Sequence, residues 1–348
     1  MPQRQRIFRT EDAILARLRQ TKPARPFRAR TRDEWRRWRR DFRRAIVKEL
    51  GRTPEPVPLR PRVLDRQDMG DYIREKVVFD SEAFMSVPAW VTVPKNLDRG
   101  ERRPGVLVAH GHGPGKDPAV GLGPDGQPIP EDYQKQMAIR LARAGCVAIA
   151  PDWRCFGERQ DGDEWVRRPG RDGCNVAYLA MGYFGFHMLN LQVWDARRTL
   201  DYLVSRREVD GRRLGCIGCS FGGTMTTYTS ALDNRIQAAV ICCYISSLED
   251  AFGPRGHGNF CGSQYMPGLR VHGDIADVAS LIAPRPLMIQ VGEKDTCFVQ
   301  EDAIPAARRV EKVYRVAGAA DRFSLDVFPG VHEIDPEPAL DWFARWLG

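Results

Sequence analysis

Apolar residues recur at Trp35, Trp38, Phe42, Ile46 and Leu50, at steps of three and then four, the spacing that gathers them on one face of an α-helix. Thr31 and Glu34 stand three apart just ahead of this stripe, a capping-box pattern, and Gly51 follows its last residue. The helix therefore has a predicted start and stop. Most arginines of the segment fall between the stripe residues, which predicts a helix laid on the main body with a solvated cationic face. Pro54, Pro56, Pro58 and Pro61 then read as a stiff connector. From about residue 70 the pattern changes to strands alternating with helices. Residues 76–79 and 89–93 read as early antiparallel strands, and 105–110 as the first buried parallel one. Further buried strands are expected at 146–151, 213–218, 236–245, 286–291 and 324–328, with a helix through Leu189, Val193, Ala196, Leu200 and Leu203. Such alternation implies a mostly parallel sheet with right-handed crossovers. The expected organisation is an α/β main domain over 70–348, with residues 1–69 as a helical extension and connector packed on it.

A chain of 348 residues buries enough core for that plan. The longest apolar runs, 146–151 and 238–245, are strand length and far short of the ~20 residues of a membrane helix, so no membrane partner is expected. The first residues carry charge but no apolar stretch, and no secretory leader is read there. Cysteines number nine, an odd count, with Cys146, Cys216, Cys242 and Cys243 inside expected strands; small buried thiols of this kind fit a reduced cytoplasm. The net charge of +8 is local, because residues 1–50 carry 17 Lys and Arg against 6 Asp and Glu, leaving −3 on the rest. The basic character belongs to the extension. A contact of its cationic face with nucleic acid or another anionic surface is the alternative to packing, and no nucleic-acid partner is expected. Self-association is left open.

Gly218-Cys219-Ser220-Phe221-Gly222 follows an apolar run and precedes a helix-like stretch. In that context G-x-S-x-G makes a sharp strand-to-helix turn that holds the serine hydroxyl out above the sheet. Serine is a poor nucleophile without a base to take its proton and an acid to orient that base. Asp295 lies just past the expected strand at 286–291, and His332 follows the last expected strand. Both are placed at one sheet edge, in the chain order Ser, Asp, His. Glu249, after the strand at 236–245, is the competing acid. For the oxyanion, the donors expected are the backbone N–H of Phe221 and that of His112, in the His110–Gly113 loop that ends the first parallel strand. The His112 side chain is read as pocket lining in the alternative, and His110 as holding the loop.

Other patterns carry less. Cys216 and Cys219 have C-x-x-C spacing, but one lies in a buried strand and the other inside the elbow, with no second pair at zinc-site distance. His110 and His112 could share a metal, yet the sequence indicates no third ligand, so neither metal nor cofactor is expected. Two stretches, 155–188 and 246–269, are expected to shape the substrate pocket. They supply Phe156, His187, His257 and Tyr265 as candidate contacts besides His110.

With these residues assembled, the chain resembles the α/β-hydrolase superfamily, and within it the acetyl-xylan-esterase-like and dienelactone-hydrolase-like esterases. The resemblance rests on HGHG at 110–113, DWRCFGER at 152–159, WDARRTLDYL at 194–203, GCSFGG at 218–223, YMPGL at 265–269, APRPL at 283–287 and GVHE at 330–333. It covers about residues 70–348, and the helix with Trp35 and Trp38 is similar to the N-terminal extension of that group. The resemblance implies an α/β-hydrolase fold and a serine esterase acting without metal, often on acetylated or otherwise esterified carbohydrate. Dienelactone hydrolases proper carry a cysteine where this chain has Ser220. Glucuronoyl esterases share Gly-Cys-Ser but continue with Arg, where this chain has Phe221, which argues against a uronate. The absence of a leader favours a small imported ester over polymeric xylan. The expectation is a serine carboxylic-ester hydrolase with Ser220, His332 and Asp295 as its triad. Amide, lactone or C–C bond hydrolysis on the same scaffold is the alternative, and a non-catalytic binding protein using the basic helix is the reading from another class.

Overall fold

The computed structural model describes residues 6–95, 97–98, 100–162, 173–252 and 260–348. Its centre is a nine-stranded sheet of β1 (Arg62–Asp68), β2 (Tyr72–Glu82), β3 (Met85–Pro94), β4 (Arg103–Ala109), β5 (Val147–Pro151), β6 (Val209–Cys219), β7 (Ile236–Cys242), β8 (Leu287–Gly292) and β9 (Phe323–Phe328), in the order β1-β2-β3-β5-β4-β6-β7-β8-β9. The pairs β1 with β2, β2 with β3 and β3 with β5 are antiparallel, and all pairs from β5 to β9 are parallel. The helices are α1 (Thr10–Gln20), α2 (Arg32–Leu50), α3 (Met137–Arg143), α4 (Gly173–Gly182), α5 (Met188–Ser205), α6 (Phe221–Leu232), α7 (Leu248–Ala251), α8 (Leu269–His272), α9 (Ile275–Ser280), α10 (Gln300–Ala317) and α11 (Pro336–Leu347).

Strand period two sorts the core onto two faces. Val106 and Val108 of β4 pack with Met137 and Leu141 of α3 and Trp342 and Phe343 of α11. Leu107 and Ala109 join Leu200 of α5, Met225 of α6 and Val310 of α10 on the other side. Strands β4, β5, β7 and β8 are buried on both faces, which is why their sequences run apolar without alternation.

Three expectations change. The connector before residue 70 contains β1, paired with β2 along its length, so the sheet begins inside it. The strand is almost wholly exposed and reads RVLDRQD; with no buried face it carries no apolar alternation to reveal it. The strand expected at 236–245 stops at Cys242, because Cys243 takes a φ of 43°. The capping box at Thr31 and Glu34 forms, and Trp35, Phe42, Ile46 and Leu50 are buried. The cationic face of α2 is only partly solvated, however. Arg39 Nε donates to Leu281 O at 3.0 Å, at the C-cap of α9, and Arg43 Nη2 to Leu232 O at 3.0 Å, the last residue of α6. No helix among the described residues is long and apolar enough to cross a membrane, and all nine cysteines carry free thiols.

Candidate active site

The strand β6 ends at Cys219 and α6 begins at Phe221, leaving Ser220 alone in the turn at φ 62° and ψ −123°. A non-glycine residue held there costs about 1–3 kcal/mol, which the surrounding packing must supply. The Ser220 N–H donates to Cys242 O at 3.1 Å, and its carbonyl accepts from Thr224 N–H at 3.1 Å, the first bond of the helix. Both flanking glycines are required by close backbone approach. A Cβ at Gly218 would lie 2.5 Å from Ala109 O, and one at Gly222 2.0 Å from the same atom. The first N–H groups of α6, that of Phe221 among them, have no helical turn behind them to supply a carbonyl, which suits them to meet an anion.

Past β8, Asp295 is half of a tightly defined pair. His332 Nδ1–H donates to Asp295 Oδ2 at 2.8 Å, while Oδ1 accepts from the N–H groups of Cys297 at 2.7 Å and Phe298 at 3.0 Å. Burial pushes this carboxyl up, but the His332 hydrogen bond and charge and the two backbone donors outweigh it and hold it below the ordinary aspartate value. The Asp295 and His332 loops are laced together by Glu293 N–H to Phe328 O and Lys294 N–H to Gly330 O, each at 2.9 Å. Rings of Phe298 and Tyr133 stack on the imidazole at 6.0 and 6.4 Å. Glu249 does not take part. It stands on α7 with more than half its side chain exposed, 3.8 Å from Arg270, while His332 Nδ1 is already committed to Asp295.

The His110–Gly113 loop lies against the elbow, since a Cβ on Gly111 would come within 3.2 Å of Ser220 Cβ. His110 is wholly buried and spent on structure. Its Nδ1–H donates to Gly111 O at 2.7 Å and its Nε2 accepts from Trp153 N–H at 3.0 Å. Burial lowers its pKa to about 4, so the ring is neutral. Tyr133 was not singled out from sequence, yet it holds the loop: its hydroxyl accepts from Gly111 N–H at 3.1 Å and donates to His112 O at 3.2 Å. A lone tyrosine in a polar loop gives no pattern to find. The His112 ring packs on Phe156 and Phe221, each at 5.3 Å between centroids, and its Nε2 lies 3.1 Å from Cys261 Sγ.

Behind the loop, the DWRCFGER segment is a charged frame. Buried Asp152 accepts from the Lys116 backbone at 2.8 Å and from Lys116 Nζ at 2.9 Å, while Lys116 Nζ also reaches Glu158 at 2.5 Å. Asp195, in the WDARRTLDYL segment, takes a two-pronged contact from Arg154 at 2.8 and 2.9 Å and a third from Arg159 at 2.8 Å. Burial alone would raise Asp195, but the two guanidiniums bring it down to about 2.

These features settle the lineage once the chain is set beside known proteins. The model of the Abhydrolase family matches residues 3–332, from ahead of α1 to the histidine beside Asp295. The chain belongs to the Abhydrolase family. Its fold is that of the α/β-hydrolases, and α1 and α2 fall inside the matched span. The sequence is 29% identical over 317 residues to a Bacillus subtilis (strain 168) protein provisionally named hydrolase YtaP, covering 89% of this chain and all of that one. Among solved structures, a provisionally assigned acetyl xylan esterase from Bacteroides fragilis superposes with a TM-score of 0.78 at 20% identity, over 94% of this chain and 84% of that one. A glucuronoyl esterase from Solibacter usitatus gives 0.62 at 17% identity, over 94% and 95%.

In this Abhydrolase the remaining sequence candidates scatter. Phe156 is buried against His110, His112 and Phe221. His187 stands at the N-cap of α5 with its ring 3.3 Å from where a Gly51 side chain would begin, at the end of α2. Tyr265 meets Tyr178 edge-on at 5.3 Å and lines an apolar cavity of about 380 Å³ with Ile14 and Leu18 of α1, Tyr244, Phe252 and Phe260. His257 lies outside the described residues. Cys216 and Cys219 sit on opposite faces of β6, Cys216 toward Thr226 Oγ1 at 3.5 Å, and therefore do not form one ligand pair.

Proposed function

We propose that this chain is a serine carboxylic-ester hydrolase acting through an acyl-enzyme. Ser220 Oγ attacks the acyl carbon while His332 Nε2 takes its proton, and Asp295 keeps the other imidazole nitrogen protonated and oriented. The charge that develops on the carbonyl oxygen is met by the N–H groups of Phe221 and His112. The C–O bond to the alcohol then breaks, His332 returns the proton to the leaving oxygen, and water repeats the sequence to release the acid. The observation that carries this reading is the 2.8 Å His332–Asp295 bond at the same sheet edge as a serine held in a strained elbow.

The substrate we propose is a small ester, acetylated or carbohydrate-like. Phe156, Phe221 and His112 pack within 5.3–5.4 Å of one another, an aromatic cluster beside the elbow that suits a small ester better than a bulky one. The names carried by several structural neighbours, acetyl xylan esterases among them, agree with this choice. Free thiols throughout the chain support a reducing compartment as its place of work.

Turnover of p-nitrophenyl acetate tests the assignment. Ser220→Ala should lower kcat by ~10⁴-fold or more with an unchanged circular dichroism spectrum; retained activity would refute the nucleophile. Asp295→Asn should cost a comparable factor, whereas Glu249→Gln should stay within about twofold. Faster turnover of an anilide, a lactone or a β-diketone than of the acetate would move the function to amide, lactone or C–C bond hydrolysis.

A further inference from the structure

His112, Cys174 and Cys261 come from three separate segments: the loop after β4, the first turn of α4 and the loop that follows α7. Their ligand atoms, one imidazole nitrogen and two sulfurs, all lie within 4.8 Å of one another, and His112 Nε2 is 3.1 Å from Cys261 Sγ. Zn–S bonds of about 2.3 Å and Zn–N bonds of about 2.0 Å around a tetrahedral ion put such atoms about 3.5–3.8 Å apart. Shifts of a few tenths of an ångström to about an ångström therefore separate the observed cluster from a metal-binding one, within reach of thiol rotation. Cys174 is buried, Cys261 half-buried and His112 exposed at the mouth, so an ion could enter from the substrate side. The neighbouring His110 is excluded, since both of its nitrogens are used.

We propose that His112, Cys174 and Cys261 form a binding site for a soft divalent cation, zinc in the first instance, at the rim of the active site. Two thiolates and one neutral imidazole suit zinc better than calcium or magnesium, which take oxygen ligands. Binding forms three metal–ligand bonds, releases the thiol protons to solvent and leaves the fourth position of the ion facing the pocket. The His112 ring is pinned by the ion, and the loop whose N–H faces the reacting carbonyl is pulled with it. If the proposed hydrolase reading holds, the bound cation inhibits turnover reversibly. The binding itself does not depend on that reading.

The test is titration of the reduced full-length protein with ZnCl₂ in a calorimeter, and with CoCl₂ in a spectrophotometer. One equivalent should bind, cobalt should develop a thiolate charge-transfer band, and EDTA should reverse both. Cys261→Ser and Cys174→Ala should each weaken zinc binding by about tenfold or more and remove intensity from the band. Absence of binding, or binding of equal strength in both variants, overturns the proposal. Zinc inhibition that survives in both variants removes the inhibitory role of the cluster, because the ion would then be acting through His332, which has its own cysteine neighbours in Cys219, Cys243 and Cys297. Zinc bound at the cluster without loss of ester turnover would leave the site standing and remove only its inhibitory role.

Discussion

At the scale of single residues, the candidate site depends on side chains whose tautomers are set by their partners. Asp295 makes Nδ1 of His332 the protonated nitrogen, and Trp153 N–H makes Nε2 of His110 the bare one, so two histidines near the same sheet edge differ in what each can do. Tyr133 is a positioning residue in this scheme. Removing its hydroxyl frees Gly111 N–H and His112 O together, and loosens a loop whose donor, on the proposed mechanism, meets the developing charge. Complete loss of such a donor costs ~10²–10³ in kcat. Tyr133→Phe keeps the ring on His332 and should lower kcat by roughly tenfold with KM changed less than about twofold, as steady-state kinetics would read. An unchanged kcat would show that the loop holds itself.

At the scale of elements, two of the arginines of α2 are fastenings. Arg39 and Arg43 reach carbonyls at the C-terminal ends of α9 and α6, where a cation also meets the negative end of the helix dipole. Burial lowers the Arg39 guanidinium from its ordinary value, a sign that its charge has left bulk water. Arg39→Ala and Arg43→Ala should each destabilise the fold by about 1–2 kcal/mol in urea denaturation, and their effects should not simply add, since the two guanidiniums stand one turn apart and repel each other. Ester kinetics of the folded fraction should be unaltered. The stripe of Trp35, Phe42, Ile46 and Leu50 was legible because burial imposes period 3.6 on it. The use of the arginines was not, because a cation facing water and one facing a carbonyl of another helix look alike along the chain.

For the whole molecule, acid stability turns on buried titrating groups of opposite sense. His110 is held neutral by burial, with its pKa lowered to about 4 against about 6.5 in the unfolded chain. The unfolded state therefore binds more protons between these values, and stability from this group, complete above pH 6.5, falls as the pH drops toward 4, by roughly 3 kcal/mol. Asp277 has its carboxyl raised to about 6 by burial, so the folded state binds its proton more tightly and gains as pH falls over nearly the same window. The two partly offset each other. Asp277→Asn removes the gain, and its urea midpoint should fall more steeply than that of the parent protein between pH 6.5 and 4. A parallel pair of curves would refute the balance.

Much was written locally. The apolar runs of β4, β5, β7, β8 and the second half of β6 announce themselves because strands buried on both faces have no polar side to show, and G-x-S-x-G at 218–222 is legible because a strand-to-helix turn this tight excludes side chains at Gly218 and Gly222. The order of Ser220, Asp295 and His332 follows from the same strand count. Tertiary structure alone decided what depends on approach between distant segments. The exposed strand β1 is recognised only by its pairing with β2, the pairing of His332 with Asp295 and not with Glu249 only by their 2.8 Å contact, and Tyr133 only by the two backbone groups its hydroxyl joins. The gathering of His112, Cys174 and Cys261 is of this kind as well. Periodicity records which face of an element is buried, since burial acts on every residue of that face; a contact between single side chains far apart in the chain leaves no repeat behind it.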